Sequence, residues 1–287
     1  MSWGRTVRLR VEQMSSVLAD PAANLARIAR AQSDAARDGV DVVLTPELSL
    51  TGYDVRDSVH TLAVPEADDP FPALADGPDV VVGTIEHDAR FTPYNAALHL
   101  RGGRVLHRHR KVHLPTYGMF EEGRFFGRGE RVRAYDAGGG WRVGMLVCED
   151  LWHPALAYLL AADGAHLILV QSAASGRGAW AGGAAGGRWA SRASWEHLCC
   201  AAASAYGVYV VLANMVGVEG SCVFAGGSII VAPGGDIIAR GDDMAEDRLT
   251  VDLSLDAVAA ARRPFSQARD DRPDIILREL ARIVEAR

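Results

Sequence analysis

Short apolar runs, four or five residues long, recur along the chain and constrain its fold more than any other feature. They are "VDVVL" at 40–44, "VVVG" at 80–83, "VGMLV" at 143–147, "HLILV" at 166–170, "VYVVL" at 208–212 and "SIIVA" at 228–232. Uninterrupted runs of this length suit strands covered on both faces. A further strand reads differently. Val7, Leu9 and Val11 alternate with Arg8, Arg10 and Glu12, which predicts a half-buried strand. Asp20-Pro21 then opens a helix, with Asp20 as N-cap and Pro21 in the first turn. Leu25, Ile28, Ala29 and Ala36 keep helical spacing until Gly39. Other helices are expected at about 154–163, 188–206 and 274–286. Strands with intervening helices predict an α/β layered fold. No linker, repeat or composition shift interrupts the sequence, so a single domain over 1–287 is expected.

Hydrophobic residues make up 49% of the chain and charged residues 23%, which allows a sizeable core and argues against disorder. The net charge is −6 with both signs mixed throughout, so neither nucleic acid nor a membrane surface is an expected partner. The stretch "LCCAAASAYGVYVVLANMVGV" at 198–218 is uncharged and long enough to span a bilayer. Gly207 divides it into an Ala-rich half and a β-branched half, which reads as a buried helix end followed by a buried strand. The charged N-terminus lacks the apolar core of a signal peptide. The four cysteines, Cys148, Cys199, Cys200 and Cys222, show no disulfide spacing. A cytoplasmic location is expected.

The chemistry centres on "VGMLVCEDLWHP", where Cys148 ends an apolar run and Glu149 and Asp150 follow at once. Burial and nearby negative charge both disfavour a thiolate. A nucleophilic Cys148 therefore needs a base and an oxyanion donor from elsewhere in the chain. His153 is too local to be assumed a partner. Glu47, in "LTPELSLTGY" just past a strand, and Lys111, in "HRHRKVHLPTYGMFEEGRFF", are the alternatives. Each also has an ordinary reading, as a loop-capping glutamate and as part of a basic edge strand. His107, His109 and His113 would share one face with Lys111, but Arg108, Arg110 and Lys111 add repelling charge, so no metal site is expected.

Glu47, Lys111 and Cys148 each follow an apolar strand, and at these segments the chain resembles the nitrilase superfamily of carbon–nitrogen hydrolases. The resemblance runs from "ADPAANLARI" through "TPELSLTGY", "RKVHLPTYGMFEEGRFFGRGE", "VGMLVCEDLWHP" and "GAHLILVQSAA" to "VVLANMVG" and "GGSIIVAPGGDII". It implies a four-layer αββα sandwich. It also implies Glu47 as general base, Lys111 as oxyanion cation, Cys148 as nucleophile and Glu122 as a second glutamate, with Glu121 the alternative. The backbone N–H of Glu149 would be a second oxyanion donor, and Asp150 is expected to anchor the local loop. Tyr53, Tyr117, Glu149 and Trp152, with Trp180, are candidates for the substrate pocket. Each of these aromatics has an equal claim to a core or surface role.

"TGYDVRD", "LPTYGMFEEGRFF" and "CEDLWHP" are most similar to the glutaminase domain of glutamine-dependent NAD synthetases. The Ser-Gly-Gly-x-Asp-Ser type loop of an ATP-using second domain does not occur in these 287 residues. The expectation is therefore a cofactor-free amidase acting on a small-molecule carboxamide. The alternatives are a glutaminase subunit serving a separate synthetase, and a silent binding or scaffold protein with the same fold. Trp152 stands where several small-amide hydrolases carry a basic residue, so recognition of an acidic substrate group has no assigned residue. The glycine-rich stretch at 175–187 reads as a loop, with a lid as one reading. The resemblance also implies a homo-oligomer, a dimer or larger. The helical stripe Ile275, Ile276, Leu280, Ile283 and Val284 must be buried on its own domain or against a second copy.

Overall fold

A computed structural model describes residues 3–118, 120–176, 190–264 and 267–286. Its elements run β1 (Thr6–Gln13), α1 (Pro21–Arg37), β2 (Val42–Leu44), α2 (Val59–Leu62), β3 (Val64–Pro65), β4 (Asp79–His87), β5 (Pro93–Arg101), β6 (Arg104–Arg110), α3 (Glu122–Phe125), β7 (Tyr135–Gly138), β8 (Trp141–Val147), α4 (Pro154–Ala162), β9 (Leu167–Ser172), α5 (Ala190–Tyr206), β10 (Tyr209–Asn214), β11 (Val216–Glu219), β12 (Cys222–Ala225), β13 (Ile229–Val231), β14 (Ile237–Arg240), β15 (Asp247–Ser254), α6 (Leu255–Arg262), α7 (Gln267–Asp270) and α8 (Pro273–Glu285).

The strands form two mixed sheets and a hairpin. The first sheet has the order β15-β1-β2-β4-β5-β6, with β3 beside β4. The second has the order β14-β13-β10-β9-β8-β7, and β11 pairs with β12. At the centres, β1-β2-β4 and β8-β9-β10 are parallel. Parallel neighbours need a crossover. Helix α1 carries the chain from β1 to β2, α4 from β8 to β9, and α5 from β9 to β10. Val7, Leu9, Val11, Leu44 and Val81 of the first sheet share one core with Met145, Val147, Leu169 and Val211 of the second. On the outer face of the first sheet, Ile28 and Ala35 of α1 pack against Val43, Val80 and Val82. Leu156 and Leu160 of α4, with Cys199 and Ala203 of α5, cover the second. The layers are helix, sheet, sheet, helix: a four-layer αββα sandwich.

Asp20 caps α1 through Ala23 N at 3.0 Å, and Gly39 leaves the helix at φ +67°. Gly207 divides the uncharged 198–218 stretch at φ +58°, between α5 and β10. No described helix is long and apolar enough to cross a membrane.

Two expectations need correction. Beyond Arg8, β1 is buried on both faces: Leu9 and Val11 enter the core between the sheets, and Arg10 and Glu12 on the outer face are covered by partners from the end of α1 and from β15. Arg10 reaches Asp38 at 2.7 Å and Thr250 at 2.9 Å, while Glu12 accepts from Arg248 at 3.1 Å. The buried face of α1 runs through Asn24, Ile28, Ala31, Gln32 and Ala35, and Ala36 is exposed. The Asn24 and Gln32 amides can be buried because they donate to the carbonyls of Val17, Leu50, Leu74 and Pro78. On this chain the apolar stripe of α8 is exposed, from 37% at Ile275 to 69% at Val284.

Candidate active site

The C-terminal ends of β2 and β6 in the first sheet, and of β8 and β9 in the second, meet around one buried cluster. Glu47 lies three residues past β2 and is fully buried. The Pro46–Leu48 backbone rests directly on Gly83 of β4. A Cβ at Gly83 would stand 2.4 Å from Leu48 N and 2.6 Å from Pro46 O, so only glycine allows this approach. Three donors fix the Glu47 carboxylate. Lys111 Nζ and Asn95 Nδ2 each donate to Oε1 at 2.7 Å, and Ala173 N donates to Oε2 at 2.8 Å.

Lys111 follows β6 immediately and is fully buried. Its Nζ donates to Glu122 Oε1 at 2.7 Å as well as to Glu47. Glu122 opens the short turn α3 and is buried, with Oε1 also accepting from Tyr53 OH at 2.5 Å. Glu121, its neighbour, is exposed, so the glutamate that reaches Lys111 is Glu122. Cys148 follows β8 in the left-handed region, at φ +47°. Holding a non-glycine residue there costs about 1–3 kcal/mol. Its Sγ accepts from Ser172 Oγ at 3.5 Å.

The carboxylate of Asp150 holds this strained turn. Oδ1 accepts from Val112 N and His113 N at 3.1 and 2.9 Å, Oδ2 accepts from Val147 N at 3.2 Å, and His109 Nε2 lies 2.8 Å from Oδ2. Asp150 thus ties the backbone just after Lys111 to the backbone just before Cys148. Burial would raise its pKa, but His109 and His113 hold it well below the carboxylate range.

Charge in the cluster is tightly balanced. Burial opposes the Lys111 ammonium, yet Glu122 and Glu47 outweigh it and hold its pKa well above that of a free lysine. Burial pushes Glu122 up to about 7, with Glu47 adding to the rise and Lys111 opposing it. Burial, then Glu47, raises the Cys148 thiol, against the opposing pull of Lys111. At neutral pH the sulfur therefore rests as a thiol. Lys111 Nζ has three protons, and two of them point at carboxylates, leaving one for a third acceptor.

The other candidates are placed as follows. Tyr53 joins the cluster through Glu122, and its own N–H and that of Asp54 donate to Glu219 Oε2 at 2.7 and 3.0 Å. Tyr117 OH donates to Glu149 Oε2 at 2.7 Å. Trp152 is 41% exposed and packs edge-on against Trp195 of α5. His107 stacks on Tyr135, and His113 stacks on His153. Trp180 and the 175–187 stretch, apart from Ser175 and Gly176, lie outside the described residues. Sequence reasoning missed Asn95, Ser172 and His109. Asn95 stands in a strand that also carries His99 and Arg101, and Ser172 follows Gln171, so neither stands out from its strand by residue type.

The pattern of the carbon-nitrogen hydrolase family matches residues 8–263. A glutamine-dependent NAD(+) synthetase of Thermotoga maritima is 32% identical over 262 residues, which is 88% of this chain and 43% of that protein. The chain spans less than half the length of the curated relatives it matches. A carbon-nitrogen hydrolase from Helicobacter pylori shares the fold with a TM-score of 0.80 at 21% identity, covering 96% of this chain and 98% of that one. An amidase from Nesterenkonia sp. AN1 superposes with a TM-score of 0.71 at 28% identity, covering 90% and 97%. Its structure shows acrylamide added at the active-site cysteine.

Proposed function

The chain belongs to the carbon-nitrogen hydrolase family, and we propose that it hydrolyses the carboxamide of a small molecule to acid and ammonia through a thioester on Cys148. The observation that carries this reading is the buried Lys111 ammonium bridging Glu47 and Glu122, whose charges all bear on the Cys148 thiol. Glu47 takes the thiol proton as sulfur attacks the carbonyl carbon, so no free thiolate is needed. The oxyanion meets the third Lys111 proton and the Glu149 backbone N–H. One donor of this kind is worth about 3 kcal/mol in the transition state. Glu47 then passes its proton to the departing nitrogen, the C–N bond breaks, and ammonia leaves. Water, deprotonated by Glu47, attacks the thioester. The C–S bond breaks, and the proton returns to sulfur.

Ammonia release from an amide panel, with Cys148→Ala as control, tests this reading. The variant is expected to fold and to release none, and amide turnover by Cys148→Ala would refute the assignment. A second reading is favoured by the likeness to glutamine-dependent NAD synthetases: a glutaminase passing ammonia to a separate synthetase. It predicts glutamine as the best amide of the panel, with turnover rising when the partner is added. The uncovered stripe of α8 supports a homo-oligomer.

A further inference from the structure

A basic cleft of about 670 Å³ lies along β6, at the open edge of the first sheet of this acidic chain. β6, the turn at 66–68 and the segment 128–135 line it. Two of its arginines are neutralised: Arg108 and Arg110 each reach both Glu66 and Glu86, at 2.6 to 3.1 Å. The others are not. Arg128, Arg131 and Arg133 are exposed, and among the described residues no carboxylate, carbonyl or ring engages their guanidinium groups. Glu130 stands among them, and two further exposed carboxylates, Glu66 and Asp68, also line the cleft, which carries five arginines against three lining carboxylates.

The backbone carrying these three is pinned in place. Gly127 N donates to Pro93 O at 2.8 Å, Gly129 N to Lys111 O at 2.8 Å, and Ala134 N to Asp163 Oδ2 at 2.7 Å. A Cβ at Gly129 would lie 2.0 Å from Arg110 O, so the segment presses directly on the end of β6. Tyr94, beneath Arg110 at 4.1 Å, and the Tyr135–His107 stack form aromatic walls. Burial, then nearby His109, holds His107 down to about 4, so the ring stays neutral at pH 7.

We propose that this cleft binds a small molecule bearing several anionic oxygens, a polyphosphate or a polycarboxylate, through Arg128, Arg131 and Arg133. Guanidinium forks match such oxygens two at a time. All three lie within residues 128–133 and have no partner among the described residues, so their donors are free for an anion. The volume suits a small ligand rather than a macromolecule. Gly129 ties the arginine-bearing segment to the Lys111 carbonyl, but none of Glu47, Lys111, Glu122 or Cys148 lines the cleft, so the site is distinct from the buried cluster. Failure of either proposal leaves the other standing.

Calorimetric titration of the full chain with pyrophosphate, and separately with citrate, at one fixed ionic strength tests the site. Saturable binding of one anion per chain is expected. Arg131→Ala and Arg133→Ala are each expected to weaken it about tenfold or more. Arg278→Ala, on α8, should leave it unchanged. Preference for pyrophosphate identifies a phosphate ligand, and preference for citrate identifies a carboxylate ligand. Saturable uptake of neither anion, or equal affinity in the wild type and the R131A/R133A double variant, overturns the proposal.

Discussion

Glu122→Gln isolates one buried charge without changing the shape of the side chain. The Glu122 carboxyl titrates near 7 in the folded chain instead of at the ordinary 4.5. Each tenfold change in proton affinity is worth about 1.4 kcal/mol, so the difference is on the order of 3 kcal/mol. Its sign follows from where the proton is held. Between 4.5 and about 7 the folded state keeps a proton that the unfolded state has lost. That contribution to stability is complete below 4.5 and is lost as pH rises through 7. Glutamine does not titrate, so the variant lacks this loss. Urea unfolding of both proteins at a series of pH values from about 4 to 8 gives the difference in stability. The wild type should lose on the order of 3 kcal/mol relative to the variant across that range. A flat difference would mean that Glu122 titrates as an ordinary surface carboxyl. The charge balance drawn around Lys111 would then be wrong.

Gly83→Ala should cost about 1–3 kcal/mol in thermal unfolding and depress ammonia release, because the new Cβ meets the backbone of the Pro46–Leu48 loop and displaces Glu47. Asp150→Asn should destabilise by about 3–5 kcal/mol at neutral pH, since one amide oxygen cannot serve three backbone N–H groups and His109. The Asp150 pKa is depressed, so its contribution is present above the ordinary aspartate pKa and is lost as pH falls. Melting curves of variant and wild type should therefore converge in acid, and a gap that persists there would contradict the account.

The parallel strands were legible because burial on both faces leaves nothing but apolar residues in Val143–Val147 or Tyr209–Leu212. Arg10 and Glu12 misled because alternation normally reports a wet face. Their partners Thr250 and Arg248 sit on β15, more than 230 positions away, and no local pattern announces such a pairing. Glu47, Lys111, Glu122 and Cys148 are legible through motif resemblance, and the structure places them in one buried cluster. Asn95, which clamps Glu47, belongs to no motif that was read and emerges only from the pairing of β5 beside β4. The contradiction at "CED" resolves through orientation. The Glu149 side chain turns to Tyr117, and the Asp150 carboxylate is occupied by backbone N–H groups. The strongest carboxylate influence on the Cys148 thiol comes from Glu47, a hundred residues upstream.

The cluster straddles the seam between the two sheets. Glu47 and Lys111 hang from the first, while Cys148, Ser172 and the Ala173 N–H belong to the second. The cluster works as a latch whose two jaws are carried by separate halves of the sandwich. A slip of the halves by one side chain's width would part acid from sulfur while every strand kept its neighbours. Catalytic competence in this architecture is thus a more sensitive gauge of how the two sheets are docked than any measure of secondary structure.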